Sequence, residues 1–215
     1  MPVKKHLGTL RKEYKQLEIS EDDINKNPFI QFDKWFEQVL KLKIEEPNAM
    51  ILATSDKNGI PSARTVLLKS YDEGGFSFCT NYSSRKGKEI SQNPKASVLF
   101  YWKELERQVR IDGLVEKLSK TESETYFNER PFESRIAAIA SSQSEVIKDR
   151  KSLEEKFESL KKEFGGKNPP MPSEWGCYSV IPYRFEFWQG RENRMHDRIC
   201  YEKSGNNWKI SRLSP

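Results

Sequence analysis

The spacing of apolar residues changes several times along the chain, and each change marks an element. Phe32, Trp35, Phe36, Val39 and Leu40 recur at helical spacing and predict an amphipathic helix with one apolar stripe. From Ala49 the period shortens. Ala49–Ser55 is a short apolar run, Asp56-Lys57-Asn58-Gly59 is a hairpin turn signal, and 62–70 reads as a second strand. Asp72–Gly75 makes another turn before a third strand over 76–80. Ser83 and Ser84 offer caps for a short helix that Asn93-Pro94 stops after Gln92, and two more strands follow over 95–102 and 108–118. Thr121 and Glu124 have capping-box spacing at the head of a helix through Tyr126 and Phe127. Another short helix follows Pro131, and a longer charged one spans roughly 149–164. Gly165-Gly166 and Pro169-Pro170-x-Pro172 form a loop, after which strands return over 175–181, 184–189, 198–203 and 207–212.

These strands are hairpin neighbours and do not alternate one by one with helices. The pattern predicts a mainly antiparallel β fold of the α+β kind, a β-barrel with peripheral α-helices. Residues 1–28 are polar and read as a mobile N-terminal arm, and 29–215 as a single domain. The basic start, Met1 to Leu17, lacks an apolar run, and no later stretch has the length of a membrane span, so the expected place is the cytoplasm.

Composition adds less. Lys and Arg number 37 against 32 Asp and Glu, a net charge of +5 that attracts anions without arguing for nucleic acid. Cys79, Cys177 and Cys200 are odd in number and far apart, and with only His6 and His196 no zinc set forms, so no metal is expected. The three read as reduced thiols.

Four segments carry candidate chemistry. In Arg64-Thr65-Val66-Leu67-Leu68-Lys69, period two puts Arg64, Val66 and Leu68 on one face and Thr65, Leu67 and Lys69 on the other, with a cation at each end. An anion grip and a strand with solvated ends are equally good readings of it. In Thr80-Asn81-Tyr82-Ser83-Ser84-Arg85-Lys86-Gly87-Lys88, hydroxyls and cations precede a helix start, where unpaired N–H groups favour phosphate; an ordinary basic turn is the alternative. Tyr126, Arg130 and Ser134 follow a spacing of four that would align them on one helical face, interrupted by Pro131; they form either a phosphate clamp or a solvated face. In Phe187 to Arg198, His196 lies among three arginines. Arg194, His196 and Arg198 would share a face if extended, and three unpaired cations there would call for an electron-rich ligand.

Taken in order, RTVLLK, TNYSSRKGKEI, ERQVR, YFNERPFES, SSQS, FWQGRENRMHDR and the terminal WKISRLSP resemble the pyridoxine/pyridoxamine 5′-phosphate oxidase family, from Arg11 to Pro215. The resemblance implies an FMN-binding split β-barrel, a homodimer through the C-terminal region, and FMN at the subunit interface. It implies flavin contacts from Arg64, Thr65, Val66, Leu67, Leu68, Lys69, Cys79, Thr80, Arg85, Lys86, Gln108, Gln143, Ser144, Trp188 and Arg198. It implies a substrate phosphate held by Lys69, Tyr126, Arg130 and Ser134, Arg194 and His196 beside the pyridine ring, and Arg11 and Tyr14 in a lid. The reaction implied is oxidation of pyridoxine or pyridoxamine 5′-phosphate by O2 to pyridoxal 5′-phosphate, with hydride passing from substrate C4′ to flavin N5 and release of H2O2. Two positions depart from the pattern: Cys79 stands where members often carry Tyr, and Cys177 where a second Gly often follows Trp-Gly.

Three rivals share parts of these features. A flavin or quinone reductase on the same fold would not need the Tyr126, Arg130 and Ser134 clamp. A non-catalytic carrier or sensor of flavin or B6 phosphate would bind without turnover. Nucleic-acid binding through Arg85–Lys88 is disfavoured by the small net charge and the lack of an RNA-binding signature.

Overall fold

A computed structural model describes residues 13–14 and 17–215, which divide into two compact units. The first takes the described residues up to Pro47 with Phe100–Arg110 and Arg184–Pro215; the second takes Asn48–Leu99 and Ile111–Tyr183. Three long strands, β5 (Lys95–Trp102), β6 (Arg107–Lys117) and β7 (Trp175–Gln189), give residues to both.

In the first unit, α1 (Pro28–Lys41) begins where the Asn27 side chain accepts from the Phe29 N–H and Pro28 occupies the first turn, which has no need of its N–H. Its buried stripe sets Phe32 against Phe100 at 5.1 Å and Trp35 edge-on to Phe187 at 5.2 Å. Leu40, included in the predicted stripe, is exposed. The unit closes with β8 (Asp197–Ser204) and β9 (Asn207–Arg212), β8 pairing with residues 184–189 of β7. The described part of the stretch before α1 makes contacts with β8 and β9. Ile19 is buried, its N–H donates to Asp197 and its carbonyl accepts from Arg212, and Asn25 accepts from the Tyr201 hydroxyl.

The second unit holds the hairpin β1 (Ala49–Ser55) and β2 (Pro61–Leu67), then β3 (Ser70–Asp72) and β4 (Gly75–Asn81), with α2 (Arg85–Gln92), α3 (Lys120–Glu129), α4 (Phe132–Ala140) and α5 (Arg150–Phe164). Its sheet runs β2-β1-β5-β6-β7-β4-β3, with β1 antiparallel to β2 and β5, and β4 antiparallel to β3 and β7. The Asp56 carboxylate accepts from the Asn58 and Ile60 N–H groups and fixes the first hairpin turn. Met50, Leu52, Phe76, Phe78, Val98, Ile111 and Val180 form its core.

The structure moves several expected boundaries. The strand drawn over 62–70 stops at Leu67; the Leu68 and Lys69 N–H groups bond to Asn48 and Ser77 instead, and β3 starts at Ser70. The capping box is Ser119 with Glu122, two residues before the expected pair, because this Ser-x-x-Glu supplies both reciprocal bonds. The two strands expected over 175–189 are one. It pairs with β4 up to Val180 and with β8 from Arg184, and Pro182 falls between these two segments.

The thiols are the largest correction. Cys79 and Cys177 face each other across β4 and β7, with Cα atoms 3.9 Å apart, and are joined as a disulfide; only Cys200 is a thiol, and it is buried. Sequence separation hid this, since register alone brings residues 98 apart into contact.

Candidate active site

One cavity of about 600 Å³ opens in the second unit. Arg64, Thr65, Val66 and Leu67 of β2 line it with Lys69, then Cys79 and Thr80 of β4, Lys86 of α2, Tyr126 of α3, Arg130, and Gln143. Leu68 is buried but does not line it, and Arg85, Ser134 and Ser144 are also absent from its wall. Four of the lining side chains are cationic and none is a carboxylate.

Local structure sets each donor. Ser84 caps α2 by accepting from the Gly87 N–H. A Cβ on Gly87 would meet the Tyr82 carbonyl at 2.1 Å, so the turn into α2 requires glycine. Lys86 then lies buried, its Nζ donating to Thr80 Oγ1 at 3.0 Å, with Ser84 Oγ and Gln143 Oε1 each at 3.4 Å. Those partners are neutral oxygens. Burial first, and the charge of Arg64 second, pull its pKa below the usual lysine value against the opposing pull of Glu89. Thr80 also donates to Gln143 at 2.9 Å, linking β4 to the loop after α4.

Arg64 is anchored from behind. Its guanidinium donates to the Leu52 carbonyl at 3.2 Å, to Thr54 at 2.5 Å, to Ser62, and to Glu89 at 3.2 Å. Burial would raise the Glu89 pKa, but bonds from Ser62, Thr54, Arg85 and Arg64 outweigh it and hold the carboxyl at about 2. Arg85, expected at the flavin, points its Nε to Glu89 at 2.8 Å.

At the other side of the cavity α3 ends at Glu129, Arg130 turns extended, and α4 starts at Phe132. Pro131 therefore interrupts the helical face of Tyr126, Arg130 and Ser134, as the sequence indicated, and Ser134 sits in the first turn of α4. Arg130 stacks over Trp175 at 5.0 Å, Lys69 over Tyr126 at 5.3 Å, and the two rings lie nearly parallel. Arg130 Nη1 is buried without a hydrogen-bond partner. A buried donor of this kind has the chemistry to take a phosphate oxygen.

The remaining candidates lie in the first unit. Trp188 and Arg198 are direct partners across β7 and β8. The His196 ring lies 4.7 Å from Trp188, and Tyr14 sets its edge against both. His196 Nδ1 accepts from the Arg191 N–H at 3.0 Å, and burial, then the Arg194 charge, lower its pKa. Gln108 is half-buried in β6. Arg11 lies outside the described residues. The shared extended face expected for Arg194, His196 and Arg198 is absent: residues 192–194 make a 3-10 turn, with Asn193 and Arg194 at φ 55° and 62°, and β8 begins only at Asp197. Nor is Arg198 unpaired, since its Nε and Nη2 meet Glu186 Oε1 at 2.9 and 2.8 Å.

Sequence reasoning missed Glu89, Trp175 and Glu186. Glu89 stands four residues after Arg85, a spacing that offers a counter-charge on one helix face. Glu186, a carboxylate between Phe185 and Phe187 in a strand, is buried and gathers Arg110, Arg184 and Arg198.

Residues 36–163 match the family described as pyridoxamine 5′-phosphate oxidase, and 175–215 match the C-terminal dimerisation region of pyridoxine 5′-phosphate oxidase. The chain belongs to the pyridoxamine 5′-phosphate oxidase family. It is accordingly an oxidoreductase. Proteins named pyridoxine/pyridoxamine 5′-phosphate oxidase from Burkholderia mallei and Paraburkholderia phymatum are 51% and 54% identical, each alignment covering 97% of this chain and 99% of the relative. Among solved structures, PhzG from Burkholderia lata, in complex with tetrahydrophenazine-1-carboxylic acid, has a TM-score of 0.89 at 31% identity over 95% of this chain and all of that one. A pyridoxamine 5′-phosphate oxidase-related, FMN-binding protein from Nostoc punctiforme has a TM-score of 0.69 at 17% identity, covering 88% of this chain and 98% of that one, a likeness of fold. The fold is thus the split barrel expected from the sequence. Among the described residues, no helix is long and apolar enough to cross a membrane.

Proposed function

We propose that this chain oxidises pyridoxine 5′-phosphate or pyridoxamine 5′-phosphate to pyridoxal 5′-phosphate, with FMN as cofactor and O2 as acceptor. The observation that carries the reading is the cavity wall of Arg64, Lys69, Lys86 and Arg130 without a carboxylate. Its donors form two groups, Lys86 with Thr80 and Gln143, and Arg130 with Lys69 and Tyr126. Two phosphates, one on the cofactor and one on the substrate, suit two groups; a flavin or quinone reductase needs one. When bound, FMN would supply a hydride acceptor for substrate C4′ and pass the electron pair to O2 as H2O2; from the amine substrate, water would then hydrolyse the resulting imine to the aldehyde and ammonia.

The protein's part is to bind, orient and compensate charge. Lys86 and Thr80 would hold the cofactor phosphate, while Arg64, Thr65, Val66 and Leu67 would run along the flavin. Leu68, Cys79, Arg85, Ser144 and Gln143 would support that side. Arg130, Lys69, Tyr126 and Ser134 would grip the substrate phosphate, and Tyr14 with Arg11 would cover it. Trp188, Arg198 and Gln108 would complete the flavin site in a homodimer, for which the match to a dimerisation region speaks. Arg194 and His196 would face the pyridine ring. His196, kept neutral by burial, is a hydrogen-bond partner to the substrate hydroxyl or amine.

One observation favours a second reading, the likeness to PhzG, crystallised with a tricyclic carboxylate. Such a ligand leaves the second donor group without its phosphate. The test is anaerobic addition of pyridoxine 5′-phosphate to the FMN-loaded protein. Bleaching of the visible band, reversed by air with stoichiometric pyridoxal 5′-phosphate, is the expected result. A band bleached by tetrahydrophenazine carboxylate and untouched by the B6 phosphates would transfer the assignment to the second reading.

A further inference from the structure

The disulfide is not needed to align its strands. β4 and β7 pair in register from Phe76 and Val180 to Asn81 and Trp175, so the ladder holds on both sides of the bond. The sulfurs differ in access. Cys177 is 2% exposed and packs with Phe127 and Trp175, its N–H bonded to Ser123 and its carbonyl to Leu118. Cys79 is half-buried and lines the large cavity, which Cys177 does not, while both line a neighbouring one of about 370 Å³. The next residue of β4 is Thr80, which takes the Lys86 bond and passes its own to Gln143.

We propose that Cys79 and Cys177 are a reversible redox modification site in the cavity wall, whose state sets the affinity of the anion cradle. In the oxidising direction the Cys79 thiolate attacks hydrogen peroxide. The O–O bond breaks, one oxygen stays on sulfur as a sulfenic acid, and the other leaves as water after taking a proton. Cys177 sulfur then displaces that oxygen as a second water, so two thiols and one peroxide give one disulfide and two waters. In the reducing direction an external dithiol attacks Cys79, the reachable sulfur, releases the Cys177 thiolate, and closes its own disulfide. That the enzyme makes its own oxidant rests on the function proposed above; the redox site itself does not.

Reduction requires two bonded sulfurs to separate to non-bonded contact. Cys177 is the more deeply buried of the two, so Cys79 yields, and the space in front of it is the large cavity beside Thr80. The reduced form therefore binds FMN more weakly. By linkage, FMN must favour the disulfide by the same factor.

The test equilibrates the full chain across ratios of reduced to oxidised dithiothreitol, with and without saturating FMN, followed by alkylation and peptide mapping. Expected is a single transition in which one linked peptide pair carries Cys79 and Cys177 while Cys200 takes no part. FMN should move its midpoint ratio about fivefold or more toward the disulfide, matched by FMN dissociation constants from fluorescence quenching. Cys177→Ser should lose the transition and show one FMN affinity in both buffers; if that variant does not fold, the FMN-dependent shift of the unmodified chain decides. Peroxide added to the reduced protein should form the linked pair at one equivalent. No linked peptide at any ratio, or a transition that FMN leaves in place, overturns the proposal. Turnover of pyridoxine 5′-phosphate without a linked pair defeats this site alone. A linked pair that FMN shifts, in a protein that never turns over, defeats the substrate reading alone.

Discussion

Glu89 offers a direct check on how the cavity is built. Its carboxylate accepts from Thr54 at 2.5 Å, Ser62 at 2.6 Å, Arg64 at 3.2 Å and Arg85 at 2.8 Å, with a side chain 6% exposed. Its pKa of about 2, against an ordinary 4.5, corresponds to about 3 kcal/mol of stability. A depressed carboxyl contributes fully above its unfolded pKa, and the contribution disappears as pH falls through the folded one. Glu89→Gln keeps the shape, removes the charge and leaves Arg64 beside Lys86. Loss of one partner from a buried pair costs about 3–5 kcal/mol, the same range. For a chain of this size that lowers Tm by about 6–20 °C. Urea denaturation of both proteins between pH 7 and pH 3 would measure it, the gap narrowing once the pH drops below 4.5. A gap under about 1 kcal/mol at pH 7, or one that does not change with pH, would refute the reasoning.

Lys86→Met should raise the FMN dissociation constant by about 10- to 100-fold, the value of a charge-assisted bond, without destabilising the protein lacking FMN. A Kd within about threefold of wild type by fluorescence titration would remove Lys86 from the cradle. His196 should be neutral at pH 7 and titrate below 6.5, read by nitrogen NMR of the ring, with kcat/KM falling on the acid side as it gains its proton. Titration above that value would contradict its burial. Glu186→Gln should unseat Arg198 and shift the flavin midpoint potential, with partial rescue by Glu186→Asp; equal potentials in all three would show that Glu186 does not position Arg198.

Much of this was legible from local rules. α1, the Asp56–Gly59 hairpin and α2 follow from apolar period, turn chemistry and a Ser cap, all of which act within a few residues. Family resemblance supplied most of the cavity wall, including Lys86 and Arg130. What escaped depends on register and on counter-charges from other strands. The cross-strand placement of Cys79 and Cys177 cannot be read from residues 98 apart. Arg198 looked unpaired because its partner Glu186 lies on β7, and the ion pair of Arg85 with Glu89, one helical turn on, was not foreseen. The extended reading of residues 194–198 failed because Asn193 and Arg194 adopt positive φ, which period-two reasoning does not register.

The charge of the cavity also bears on how the chain reaches its folded state. Four cations must converge before any cofactor can be held, and among the described residues only Arg64 of the four has a carboxylate partner, Glu89, so that step works against the repulsion of the others in every newly made molecule. A small anion that binds only the folded cradle lightens this step by mass action.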